Sequence, residues 1–215
     1  MVSPRPKFVL FDLGNVLVHI DPASFLRSLG IDSEENRRYY QPWVTGIMKR
    51  YEHGDDSTEE HLARLDALFN SPESKLQHNH GGNRLFTSEE FRNAMLTVIG
   101  RPVAGMEELV QRVAASVQVG LLSNTNPLHY EWCLNNLPVL EFIFFHFLSY
   151  KLRSLKPERA IFNMIVELLK VHPNEILYID DLPDNVEAAR AVGFGVHLFV
   201  GRDELEQQLK QRALL

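Results

Sequence analysis

A single cysteine, Cys133, stands in 215 residues, so the chain forms no internal disulfide and holds no thiolate zinc site or paired-thiol redox motif. Positive charge is in deficit as well. There are 22 Lys and Arg against 28 Asp and Glu, a formal charge of -6 at pH 7 with the nine histidines neutral, which leaves no basic footprint for nucleic acid. No apolar run, Phe142 to Leu148 included, approaches the ~20 residues that a membrane-spanning helix needs. Met1 to Lys7 carries two prolines and two basic residues but leads into only a short apolar stretch before Asp12, unlike a signal peptide. Repeats and low-complexity segments are missing too, and the pattern specifies no oligomeric state. The expectation is a cytoplasmic protein with a small-molecule partner. A mildly acidic surface still accommodates a locally positive pocket for an anionic substrate.

The chain is 45% hydrophobic, enough for one well-buried α/β core with a small accessory unit. Phe8 to Phe11 is apolar and stops abruptly at Asp12 and Gly14, as a buried parallel strand does where it delivers polar groups to its carboxyl end. Val117 to Leu122 runs in the same way into Ser123 and Asn124, and Ile176 to Ile179 into Asp180 and Asp181. Phe142 to Phe147 and Val196 to Val200 read as two further strands. Helical stripes occur at Met106, Leu109, Val110 and Val113 and at Ile161, Ile165, Leu168 and Leu169, with a third helix over Asp184 to Val192 that stops at Gly193. Strand and helix alternation predicts an α/β chain with a Rossmann-like, doubly wound parallel sheet. Residues 1–20 and 100–215 would form this core. Residues 21–99 lack strand runs and read as an inserted helical cap, with Trp43, Tyr51 and Phe91 in its apolar stripes and a loop over 70–87 that contains His78 and His80.

Ligands of parallel sheets sit beyond the carboxyl ends of the strands, so the topology gathers Asp12, Ser123, Lys156, Asp180 and Asp181. A carboxylate attacks phosphorus to give an aspartyl phosphate, and Asp12 at the first strand's tip is the candidate nucleophile. Repulsion between it and a phosphate calls for a hard cation, Mg²⁺ on oxygen ligands, and for Lys156, which Pro157 would hold at the mouth of the following helix. Ser123 would donate its hydroxyl to a phosphoryl oxygen, and the amides of Leu13, Gly14 and Asn124 would cradle the anion. Asp181 is the preferred second carboxylate ligand, with Asp180 and Asn185 in support. Cys133, beside Trp132, reads as packing.

The segments FDLGNVLV with Asp12, LLSN with Ser123, LKP with Lys156 and YIDDLPDN with Asp180 and Asp181 resemble, in order and separation, the four motifs of the haloacid dehalogenase superfamily. The resemblance is to its Mg²⁺-dependent phosphatases with a helical cap soon after the first motif. It implies that Asp12 is the nucleophile and that magnesium rests on the Asp12 side chain, the Gly14 carbonyl and the Asp181 side chain. One position departs from the pattern. Where such phosphatases carry a second aspartate, which protonates the leaving oxygen and then activates water, this chain has Gly14. General acid and base assistance is typically worth about 10²–10⁴-fold. Its loss points to an activated ester such as a sugar 1-phosphate, or to a substitute in His19, a cap residue or solvent. The expected function is a Mg²⁺-dependent phosphomonoester hydrolase acting on a small sugar phosphate. The alternatives are a noncatalytic or regulatory phosphometabolite-binding protein, favoured by Gly14, and a 2-haloacid dehalogenase, opposed by the Asp180–Asp181 pair.

Overall fold

The apolar run at the start of the chain becomes the central strand, β1 (Phe8–Phe11). The computed structural model describes residues 5–76 and 85–215. With β4 (Gln118–Ser123), β5 (Phe145–Leu148), β6 (Ile176–Asp180) and β7 (Gly195–Leu198), β1 forms a five-stranded sheet of order β5-β4-β1-β6-β7. Every pairing in it is parallel. Alternation along β1 splits the interior into two layers. Val9 and Phe11 enter a core shared with α5 (Met106–Ala114), α6 (Pro127–Asn136) and α10 (Arg202–Gln211), while Leu10 enters a second core with α8 (Arg159–Leu169) and α9 (Pro183–Val192). Helices on both faces explain why these strands are continuous apolar runs.

Phe11 lies level with Leu121 of β4 on one side and Ile179 of β6 on the other. The chain builds outward from β1 through β4 to β5, then crosses back to β6 and β7. The tips of β1, β4 and β6 therefore meet where the winding reverses, the place at which open parallel sheets bind ligands.

Between β1 and β4 lies an antiparallel ribbon of two short strands, β2 (Val18–Ile20) and β3 (Ile99–Pro102), which the sequence pattern does not announce. Among the described residues four helices stand between its strands: α1 (Ser24–Ser28), α2 (Glu34–His53), α3 (Thr58–Asn70) and α4 (Ser88–Leu96). They close around their own core, which includes Phe25, Tyr40, Tyr51, Leu65, Phe69 and Phe91. Local chemistry sets their ends. Ser57 with Glu60 and Thr87 with Glu90 form capping boxes that start α3 and α4. Ser33 accepts from the Asn36 amide at the start of α2, and Gly54 stops that helix in the left-handed region.

Several expectations shift. The strand expected at Phe142 to Phe147 begins only at Phe145, because Pro138 starts a 3-10 turn over Pro138–Phe142 and Phe144 is exposed. Pro157 does not start a helix: α8 begins at Arg159, and Pro157 sits in the turn that follows Lys156. Trp43 is exposed, because the buried stripe of α2 is Tyr40, Val44 and Tyr51 and Trp43 lies off it. The charge-rich segment after Gly201 is helical as α10, anchored by Leu205 and Leu209. His78 and His80 lie outside the described residues. Among the described residues no helix is long and apolar enough to cross a membrane.

Candidate active site

Lys156 is buried at the meeting of the three strand tips. Its Nζ donates to Asp12 Oδ1 at 2.7 Å, to Asp180 Oδ2 at 2.8 Å and to the Leu122 carbonyl at 3.1 Å. An ammonium has three N–H donors, so all of them are engaged. Asn124 braces the loop that carries this lysine: its side-chain Nδ2 donates to the Lys156 carbonyl, and its Oδ1 accepts from the Lys156 amide, both at 2.9 Å. The Asn124 side chain thus ties the β4 tip to the lysine loop.

Asp180 is wholly buried and fully occupied. Besides Lys156 it accepts from the Leu182 amide at 2.8 Å, from Asn185 Nδ2 at 3.0 Å to each oxygen, and from the Tyr178 hydroxyl. Asp181 differs. It is half-buried, and its side chain takes one hydrogen bond, from Asn15 Nδ2 at 3.1 Å. One carboxylate oxygen from each of Asp12, Asp180 and Asp181 falls within 4.8 Å of the other two.

The electrostatics follow from this packing. Burial pushes the Asp12 carboxyl up to about 6, against the opposing pull of Lys156 and with a further push from Asp180. For Asp180 burial acts upward, but Lys156 and the Tyr178 and Leu182 donors prevail and hold the carboxyl below its ordinary value. Burial alone would lower Lys156, yet the two carboxylates lift it above the usual amine range. Asp181 is raised, chiefly by burial, with Asn15 opposing and Asp180 adding repulsion.

Above these groups lies a cavity of about 370 Å³, bounded at its base by Leu13, Gly14, Ser123, Asn124 and Lys156 and on the cap side by α2. The buried Ser123 hydroxyl makes only a 3.4 Å contact with the Asn124 carbonyl and is available to a ligand. Gly14 leaves the base without a side chain, and a Cβ there would lie 3.0 Å from Ile20 Cδ1. Val18 and Ile20 line the cavity, whereas the exposed His19 between them does not. Cys133 is buried, its thiol pushed up to about 12 by burial, which makes it an inert packing residue.

The clustered Asp12, Asp180 and Asp181 carboxylates offer oxygens suited to a hard divalent cation, and of the three Asp180 is the one whose oxygens already meet several protein donors. Three participants escaped the sequence reading. Asn15 orients Asp181 from a left-handed conformation at φ 55°, a state that asparagine tolerates in tight turns and that its place after Gly14 could have signalled. Glu52, which lines the cavity, and Ser149, which accepts from the Thr125 amide at 3.0 Å, carry no sequence signal, since both come from elements whose docking only the folded chain shows.

The haloacid dehalogenase-like hydrolase family model matches residues 6–193. D-ribitol-5-phosphate phosphatase of Bacteroides thetaiotaomicron is 28% identical over 199 residues, 87% of this chain and 89% of that protein. A crystal structure of a HAD family enzyme from the same organism superposes with a TM-score of 0.79 at 22% identity, covering 96% of this chain and 99% of that one. A crystal form of that enzyme in complex with magnesium and inorganic phosphate gives a TM-score of 0.73 at 23% identity, over 90% and 93% of the two chains.

Proposed function

This chain belongs to the haloacid dehalogenase-like hydrolases, and we propose that it is a Mg²⁺-dependent phosphomonoester hydrolase acting on a small sugar or polyol phosphate through a phospho-Asp12 intermediate. The observation that carries the proposal is the contact of Lys156 with both Asp12 and Asp180, beside an Asp181 that keeps ligand capacity free. The relative that hydrolyses D-ribitol-5-phosphate supports the substrate class.

In this reading Asp12 Oδ attacks phosphorus, the ester oxygen departs, and water then cleaves phospho-Asp12 to release inorganic phosphate. Asp12, the Gly14 carbonyl and Asp181 would hold Mg²⁺, which when bound supplies positive charge against the phosphoryl oxygens. Lys156 holds the attacking carboxylate in one orientation, and exchange of its Leu122 contact would free an N–H for a phosphoryl oxygen. Ser123 donates its hydroxyl to a second oxygen, and the amides of Leu13, Gly14 and Asn124 complete the cradle. Asp180 and Asn185 keep Lys156 in place. Residues 21–99 serve as the cap, whose α2 wall shields the reaction from bulk water, and residues 1–20 with 100–215 serve as the catalytic core.

Phosphate release measured with and without Mg²⁺ on sugar 1-phosphates, sugar 6-phosphates, pentitol phosphates and aryl phosphates tests this reading, with Asp12→Asn as control. Mg²⁺-dependent release that falls at least ~10⁴-fold in Asp12→Asn supports it. Mg²⁺ binding without release from any ester would instead favour the phosphometabolite-binding alternative that Gly14 raises. Metal-independent turnover of a 2-haloacid would overturn the proposal.

A further inference from the structure

In-line displacement at phosphorus decides where a proton-transfer group must stand. Asp12 enters from the sheet, so the ester oxygen leaves on the opposite side, toward the cap wall. The hydrolytic water enters by that same side, since it must expel Asp12 in line. One group on the wall can therefore serve both steps. Gly14 offers none from the base, and Ile20 stands where its side chain would begin.

Helix α2 presents two neighbouring faces. Tyr40 and Tyr51 pack into the cap core and Val44 borders both core and cavity, while Gln41, Lys49 and Glu52 line the cavity. Glu52 is tied to the phosphate-site loop. Its main-chain carbonyl accepts from Ser149 Oγ at 2.6 Å, and the same Oγ accepts from the Thr125 amide at 3.0 Å, two residues beyond Ser123. Gly54 brings the helix end onto α7 (Ser149–Leu152): at φ 83° it approaches so closely that a Cβ would lie 2.3 Å from the Tyr150 carbonyl oxygen. Arg153 Nη2 donates to the Gly54 carbonyl at 3.2 Å. The end of α2 that bears Glu52 is thus clamped beside the tip of β4.

The Glu52 carboxyl has no hydrogen-bond or ion-pair partner among the described residues, and burial pushes it up to about 7, near the value at which a group both gives and takes a proton. The groups around it are engaged or inert. His129 on α6 accepts from Asn126 Nδ2 and donates to the Met95 carbonyl, each at 3.0 Å, and burial holds it neutral down to about 4. His61 on α3 is likewise lowered to about 4, and Tyr150 on α7 and Cys133 on α6 are raised to about 12, all chiefly by burial. Lys156 is spent on its three acceptors, and Lys49 stands exposed at the rim.

We propose that Glu52 is the proton-transfer group of this site, reaching from the cap to do what Gly14 cannot. This rests on the phosphatase reading above. As Asp12 Oδ bonds to phosphorus and the phosphorus–ester oxygen bond breaks, the Glu52 carboxylic acid passes its proton to the departing oxygen. As water then attacks phospho-Asp12, the Glu52 carboxylate takes the water's proton, the phosphorus–Asp12 bond breaks, and Glu52 is again an acid. With this group in place the enzyme is not confined to activated esters.

The test is pre-steady-state hydrolysis of 4-nitrophenyl phosphate and of glycerol phosphate, with Mg²⁺, by the full-length wild type, Glu52→Gln and Glu52→Asp. With the aryl ester, Glu52→Gln should release one equivalent of 4-nitrophenol per site in a burst and then turn over about 10²–10⁴-fold more slowly than wild type, as phospho-Asp12 accumulates. With glycerol phosphate it should be slow from the first turnover. Glu52→Asp, which keeps the acid, should retain more turnover than Glu52→Gln. Unchanged turnover in Glu52→Gln, or a raised KM with kcat intact and no burst, overturns the inference while the phosphatase reading stands. A wild type that releases phosphate from neither of these esters nor from the sugar and pentitol phosphates brings down that reading and the inference with it.

Discussion

The two walls of the cavity are built on opposite terms. On the sheet side the buried ions at the centre are answered within the protein: Lys156 meets three acceptors, and Asp180 meets donors from Lys156, Leu182, Asn185 and Tyr178. On the cap side Glu52 lines the cavity with no partner among the described residues. The sheet wall is preorganised for one arrangement of charge, whereas the cap wall keeps its capacity for whatever enters. Low effective dielectric strengthens both designs, because it makes the paired ions rigid and leaves the unpaired acid reluctant to ionise.

The sharpest way to break this contrast is to remove the cation that holds the sheet wall together. Lys156→Met leaves Asp12 and Asp180 buried without their shared counter-ion, and urea unfolding should register a loss of about 3–5 kcal/mol. A loss below about 1 kcal/mol would mean that the triad is not preorganised by charge.

Glu52→Gln should do the reverse on the cap wall. Folding raises this acid from its ordinary 4.5 to about 7, so the folded chain binds the proton more tightly than the unfolded one, and the group costs stability as pH rises through that window. The variant should match wild type near pH 4, gain steadily between about 4.5 and 7, and hold a constant advantage above that. By pH 8 the gain should be about 2 kcal/mol, less than the full shift implies because Glu52 lines a cavity and is only partly buried. Thermal unfolding of the two proteins across pH 4 to 8 checks the sign, and a variant less stable at pH 8 would refute it.

Between these extremes lies Asn15→Ala, which frees Asp181 from its one side-chain donor without touching the lysine triad. Calorimetric titration with Mg²⁺ should show affinity weakened by about 10-fold, the usual scale for a residue that only orients a metal ligand. The smallest effect belongs to a residue of the cap far from both walls' chemistry. Ser57→Ala removes one half of the α3 capping box and should cost about 1 kcal/mol in urea unfolding, with turnover unchanged.

What could be read ahead of folding follows a clear line. Asp12, Ser123 and Asp180 announced themselves because an apolar run that ends in a polar residue marks a strand's carboxyl end, and strand order then brings such ends together. The helices of residues 24–96 were readable from apolar spacing, while the caps that start two of them, Ser57 and Thr87, show in the fold. The ribbon of β2 and β3 was not, since three or four residues are too few to display a period. The side chain of Asn124 ties to the backbone of Lys156, a role that depends on which way one side chain turns and that the sequence does not display.

Apolar periodicity and the order of polar strand ends were thus enough to expect the sheet and the acids at its edge, because periodicity and the right-handed crossover are local rules that each segment obeys on its own, and the family followed from the resemblance of four short motifs. The number of acceptors around Lys156, the spare capacity of Asp181 and the place of Glu52 were decided only when the chain closed. Each depends on distances of a few ångströms between residues such as Glu52 and Ser149, which lie 97 positions apart and which no pattern along the sequence relates.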